Sequence, residues 1–193
     1  MGVAIPNRSD IINRLRDEDD EFSISPMPLT RSVGSGTVDL SIGTVFMPAE
    51  RSAIPSVRIE EKRVVGAGNS IDVPLFAEVR VHPKGTFVMQ PRQFILTATF
   101  EYLSMPHDLA GLIQSRSTFG RMGIISATAA YVAPGFKGCP TLEVLNAGEV
   151  PIELNPYRHI CQLVLMSADE PEPKISRYHL STRPWPARVA ADS

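Results

Sequence analysis

Arg116 and Arg121 flank two hydroxyl residues, Ser117 and Thr118, and a glycine, Gly120, within six positions. If a helix opens near Ser117, its free N–H groups, the hydroxyls and the two guanidinium forks converge, which suits phosphate. The same residues also describe an exposed helix start with a capping serine. Pro134-Gly135-Phe136-Lys137-Gly138 places two glycines three apart, the mark of a tight hairpin turn. Such a turn lets the main chain approach a planar base, or is simply a turn. Glu143 stands in Thr141-Leu142-Glu143-Val144-Leu145, a carboxylate in an otherwise apolar run. Pointing inward, it would be buried, its pKa raised, and it would suit proton transfer. Under plain alternation Leu142 and Val144 face the core and Glu143 faces water.

The surrounding segments read mostly as strands. Ser9 to Arg16 forms a short amphipathic helix, with Ser9 or Asn7 as its cap, followed by a solvated acidic run from Asp17 to Glu21. Strands are predicted over Thr37–Ile42, Ile71–Val81, Thr86–Met89, Phe94–Phe100, Ile124–Thr128, Thr141–Asn146, Ile152–Leu154 and His159–Met166. Pro106 to Ile113 reads as a turn leading into a strand, and Ser115 to Arg121 as the opening of a short helix. Many short strands separated by turns predict a mostly β fold, a distorted β-barrel or jelly roll with short helices. Residues 1–168 form one domain. Residues 169–193, polar, proline-rich and without glycine, form an arm that reaches over a neighbour or is partly disordered.

A net charge of −2 gives no support to a nucleic-acid or membrane surface. No run of apolar residues reaches membrane-spanning length, and the first ten residues lack the apolar stretch of a secretory signal. Cys139 and Cys161 are too few for a disulfide framework and fit a reducing cytoplasm. Zinc-dependent deamination needs H-x-E together with P-C-x-x-C, and neither pattern is present.

Taken together, Arg116-Ser117-Thr118-Phe119-Gly120-Arg121, the Thr128-Ala129 pair before the Pro134–Gly138 turn, and Leu142-Glu143 resemble dCTP deaminase and its bifunctional deaminase/dUTPase relatives. Gly36 to Gly43, Phe100-Glu101 with Met105 to Leu109, and Arg158 to Leu163 resemble further segments of that family, so the likeness covers about residues 5 to 166. The spacing agrees, apart from about one residue fewer between Arg121 and Thr128.

The resemblance implies a dUTPase-like β-clip fold, a homotrimer with sites between subunits, and a pyrimidine nucleoside triphosphate as ligand. It implies Glu143 as the proton carrier, Ser117 and the Ala129 carbonyl as holders of the attacking water, and Arg121 as their support. Arg116, Ser117 and Thr118 match residues around the triphosphate, with Tyr131, Gly135 and Gln162 as further substrate contacts. Magnesium would arrive on the phosphates, and no zinc is implied. Three departures stand out. Ala133 replaces the aspartate that holds the sugar 3′-hydroxyl, Tyr131 replaces a basic residue beside the catalytic glutamate, and the tail lacks the family's pattern. No glycine follows Gly148, and with Ala133 this weakens a pure dUTP pyrophosphatase. The resulting order is zinc-independent deamination of dCTP, or a related cytidine nucleotide, to dUTP and ammonia first, dUTP pyrophosphatase second, and a non-catalytic nucleotide-binding paralogue third.

Overall fold

The N-terminal helix begins at Asn7, whose side chain accepts the Asp10 N–H at 3.0 Å, so Asn7 rather than Ser9 is the cap of Arg8–Arg16. Ile11 buries the apolar face of this helix. A computed structural model describes residues 4–50, 57–60, 63–66, 75–127, 131–169, 180–186 and 189–190. The acidic run after the helix is not uniformly solvated. Asp20 is partly buried and takes the Arg14 guanidinium at 2.7 Å, while Asp108 holds the same guanidinium at 2.8 Å. Burial alone would raise the Asp20 carboxyl, but Arg14 and the Phe22 N–H together hold it below the usual carboxylate range.

The main sheet is antiparallel. Its order is Ile124–Ala127, Thr141–Asn146, Phe94–Thr99, Thr37–Pro48, His159–Ser167, Leu109–Ser115, Tyr131–Val132, with Val79–Arg80 paired to Thr37–Pro48 off this path. Thr37–Pro48 makes the curl. Its first half pairs with His159–Ser167, its second half with Phe94–Thr99, and the register shifts between Ile42 and Phe46. Val38, Leu40, Phe46, Ile95, Val144 and Leu163 are fully buried on the inner face. The fold is therefore mostly β, a curled half-barrel that carries two short α-helices and a 3-10 turn among the described residues.

Several expectations need correction. Within 71–81, residues 71–74 lie outside the described residues. Beyond them Phe76 makes an isolated bridge to Ala49 and only Val79–Arg80 pairs as a strand. Pro134–Gly138 is not a hairpin. Tyr131–Val132 pairs with Leu109–Ser115, whereas Lys137–Gly138 pairs with Tyr102–Ser104, in a small sheet with Ser23–Ser25. The turn thus passes the chain from one sheet to another. The Ala133 carbonyl accepts the Phe136 N–H at 3.1 Å, and Gly135 adopts φ 73°, which glycine takes without strain.

The described part of the tail, 180–186, lies on its own chain. Leu180 N–H donates to the Lys137 carbonyl at 2.6 Å, the Ser181 carbonyl accepts the Cys139 N–H at 2.7 Å, and Trp185 N–H donates to Thr141 Oγ1 at 3.3 Å.

Candidate active site

Curling brings the two ends of the main sheet together. Ser126, on the edge strand Ile124–Ala127, donates its N–H to Ser115 Oγ at 3.0 Å, and the two hydroxyls also bond to each other. Beside this seam lies a cleft of about 430 Å³. Ile113, Tyr131 and Val132 wall it from one end of the sheet, and Phe94, Leu96, Thr141 and Glu143 from the other. Ala133 and Phe136 of the sheet-switching turn close one side, and Trp185 of the tail another.

Glu143 obeys alternation, yet it does not face open water. Leu142, Val144 and Asn146 are buried on one face of its strand, and Thr141, Glu143 and Leu145 are half-buried on the other. That second face is the floor of the cleft, so the carboxylate sits among aromatic and aliphatic walls. Its strand neighbours are Leu96 on one side and Ala127 on the other. Cys139 also lines the cleft, but burial pushes its thiol up to about 11, so it is no thiolate at neutral pH.

The Arg116–Arg121 run lies elsewhere. Its helix is only Ser117–Gly120, and the cap is Arg116, without a side-chain capping bond, so Ser117 is not the capping residue. Ser117, Thr118 and Arg121 are exposed. The chain leaves the helix through Gly123, at φ 87°, where an added Cβ would stand 2.7 Å from the Gly148 nitrogen. Arg116 opens onto a second cleft of about 700 Å³, shared with Arg31, Arg158 and His159. Three arginines and one carboxylate, Glu153, line it, which makes it cationic. Behind Arg116, Asp39 stands 3.5 Å away and 3.7 Å from His159 Nδ1. Gln162 is in register with Asp39 and Gln114 on the outward face of the sheet. Among the described residues, no member of the Arg116–Arg121 run lines the Glu143 cleft.

The residues singled out from the sequence therefore separate into two groups within one chain. Glu143 and Tyr131 share the aromatic cleft, and Gly135 shapes the turn beside it. Arg116 belongs to the cationic cleft, with Ser117, Thr118 and Arg121 exposed next to it and Gln162 in register with its Asp39. Ala129, with Thr128, lies outside the described residues. Sequence reasoning missed the contribution of Trp185, the chain's one tryptophan, although Pro184 and Pro186 on either side set it apart. It also missed Arg31, a lone cation in the 3-10 turn Thr30–Ser32. Among the described residues, no three His, Cys, Asp or Glu side chains are grouped closely enough to hold a metal ion. No described helix is long and apolar enough to cross a membrane.

Residues 7–168 match the family described as dCTP deaminase-like. The chain is similar to a dCTP deaminase, dUMP-forming, of Methanothermobacter thermautotrophicus, with 32% identity over 170 residues, covering 84% of this chain and 82% of the relative. It is equally similar to a dCTP deaminase of Halorubrum lacusprofundi, with 32% identity over 192 residues, covering 95% and 90%. Among solved structures, the 2′-deoxycytidine 5′-triphosphate deaminase from Agrobacterium tumefaciens shares the fold, with a TM-score of 0.63 at 18% identity. That alignment covers 87% of this chain but 49% of the other, so the chain spans about half that protein's length. The matched range includes every strand of the main sheet and the lining of both clefts apart from Trp185, and the chain belongs to the dCTP deaminase-like family of enzymes acting on nucleotides.

Proposed function

We propose that the protein hydrolyses the 4-amino group of dCTP, or of a related cytidine nucleotide, giving dUTP and ammonia without zinc. The observation that carries this reading is Glu143, a half-buried carboxylate on the cleft face of its strand, within the range that matches the family. Its carboxylate takes a proton from a water molecule, and the resulting hydroxide adds to C4 of cytosine. Glu143 passes that proton to the amino nitrogen. As ammonia departs the C4 hydroxyl gives up its proton and becomes the carbonyl while N3 gains one, so the two protons of the water end on ammonia and on N3 and one water is consumed per ammonia released. Ser117 and the Ala129 carbonyl hold the water, and Arg121 supports them. Arg116 and Thr118 grip the phosphates, while Tyr131, Gly135 and Gln162 complete the nucleotide contacts. Magnesium would arrive as part of the substrate and would offset the charge of the phosphates that Arg116 and Thr118 bind. The arginines carry only N–H donors, so they would pair with the phosphate oxygens and not with the metal.

A site that uses both Glu143 and Arg116 needs two subunits, because the two residues open into different clefts of one chain. This supports a homotrimer in which the cationic cleft of one subunit faces the aromatic cleft of the next. Cys139 and Cys161, both buried free thiols, suit the cytoplasm. Ala133 leaves the sugar wall apolar, which weakens selection for a 3′-hydroxyl.

A second reading concerns the product. Similar curated proteins of Methanothermobacter thermautotrophicus, Methanobrevibacter smithii and Halobacterium salinarum are named dUMP-forming, which favours further cleavage to dUMP and pyrophosphate. Chromatography after incubation with dCTP and magnesium separates the readings. The first gives dUTP and ammonia, the second gives dUMP, pyrophosphate and ammonia. Pyrophosphate release from dUTP with dCTP untouched would mark a pyrophosphatase, and no product from any nucleotide a binding paralogue.

A further inference from the structure

Ser115 is the last residue of Leu109–Ser115, and the next residue, Arg116, begins the phosphate run. Ser126 lies in register with Val144, one position from Ala127, which pairs with Glu143. The double bond between Ser115 and Ser126 therefore ties the start of one functional segment to the strand pair that carries the other. Between them, residues 117, 118, 120, 121 and 122 are exposed, and only Phe119 and Ile124 anchor the run to the core. The two partly buried hydroxyls satisfy each other, so they avoid the cost of an unbonded polar group in the seam. They are a good way to fix distance and direction, because each hydroxyl bond is geometrically selective.

We infer that Ser115 and Ser126 are positioning residues: their clasp closes the seam of the curled sheet and fixes the Arg116–Arg121 run relative to Glu143. In a symmetric assembly every subunit carries both halves, so spacing within one chain sets spacing across each interface. The inference rests on the proposed deaminase reading.

The test compares Ser115→Ala, Ser115→Thr and Ser126→Ala in the full-length protein, with dCTP and magnesium, at a temperature where each is folded. Ser115→Ala removes both bonds, and its kcat falls about tenfold or more with KM within about threefold, the signature of lost transition-state alignment. Ser115→Thr keeps the hydroxyl and suits a strand, and restores kcat to within about threefold of wild type. Ser126→Ala keeps the N–H bond and gives an intermediate loss. It carries the test if Ser115→Ala does not fold. An unchanged kcat in folded Ser115→Ala, or in Ser126→Ala where that variant stands in, overturns the clasp. Should the wild type turn over no nucleotide, the functional reading fails and the clasp is judged by amide hydrogen exchange over residues 116–127. Exchange there must rise in Ser115→Ala, or in Ser126→Ala where that variant stands in, and return in Ser115→Thr. Unchanged exchange overturns it.

Discussion

The two clefts are built in opposite ways. The Glu143 cleft is a sheet-face feature, with a carboxylate held by strand register among aromatic walls. The Arg116 cleft instead gathers arginines from three separate segments, Arg116 and Arg158 in loops and Arg31 in a 3-10 turn. One has the surroundings that strengthen a proton transfer, and the other has the charge that holds a polyphosphate. Chemistry and grip are thus separated within the chain, and each can be broken without the other.

The largest effect falls on the first cleft. Glu143→Gln keeps the shape but cannot carry a proton, and its turnover falls by about a thousandfold. Nucleotide binding survives, read as a change in the fluorescence of Trp185, which walls the same cleft. On the second cleft, Arg116→Ala raises KM for dCTP by about ten- to a hundredfold, the cost of a hydrogen bond to a charged group, and changes kcat far less. Steady-state kinetics at two salt concentrations separates charge from packing there. Ala133→Asp sharpens the contrast from the sugar side, lowering KM for dCTP by about tenfold against its 3′-deoxy analogue.

Two smaller effects concern stability. Asp20 has a lowered pKa, so the stability it contributes is present above the ordinary carboxylate range and is lost as pH falls through its folded value. Asp20→Asn lowers Tm by about 2–4 °C at neutral pH and flattens that acid dependence, as thermal melts across pH will show. Glu101 is the reverse case. Burial raises its carboxyl while it accepts the Ser41 N–H at 2.8 Å, so its contribution is present at low pH and lost as pH rises through its folded value. Glu101→Gln keeps an acceptor without the charge and leaves Tm at pH 8 unchanged or higher, whereas Glu101→Ala strands the Ser41 N–H and lowers it.

Legibility followed the range of the physics. Thr141–Asn146 and Ile152–Leu154 form at the bounds their alternation predicts, because a period of two over a bounded run is a local signal. Ser23–Ser25 and Lys137–Gly138 are too short for a period to mark them, and their partner Tyr102–Ser104 makes them strands. The turn at Pro134-Gly135 was readable as a turn, but which strands it joins is decided by pairing with Leu109–Ser115 and Tyr102–Ser104. Glu143 shows the same limit. Alternation correctly points it away from the core, but whether the outer face meets water or a cleft depends on Trp185, some forty positions away. The separation of Arg116 from Glu143 was hidden for the same reason, since motifs close in sequence leave on different ends of a curled sheet.

The most direct measurement co-expresses Glu143→Gln and Arg116→Ala subunits and follows ammonia release from dCTP below KM. If one subunit's Glu143 works with a neighbour's Arg116, mixed assemblies regain turnover well above either variant alone. A mixture no faster than its separate components would contradict a shared site between subunits.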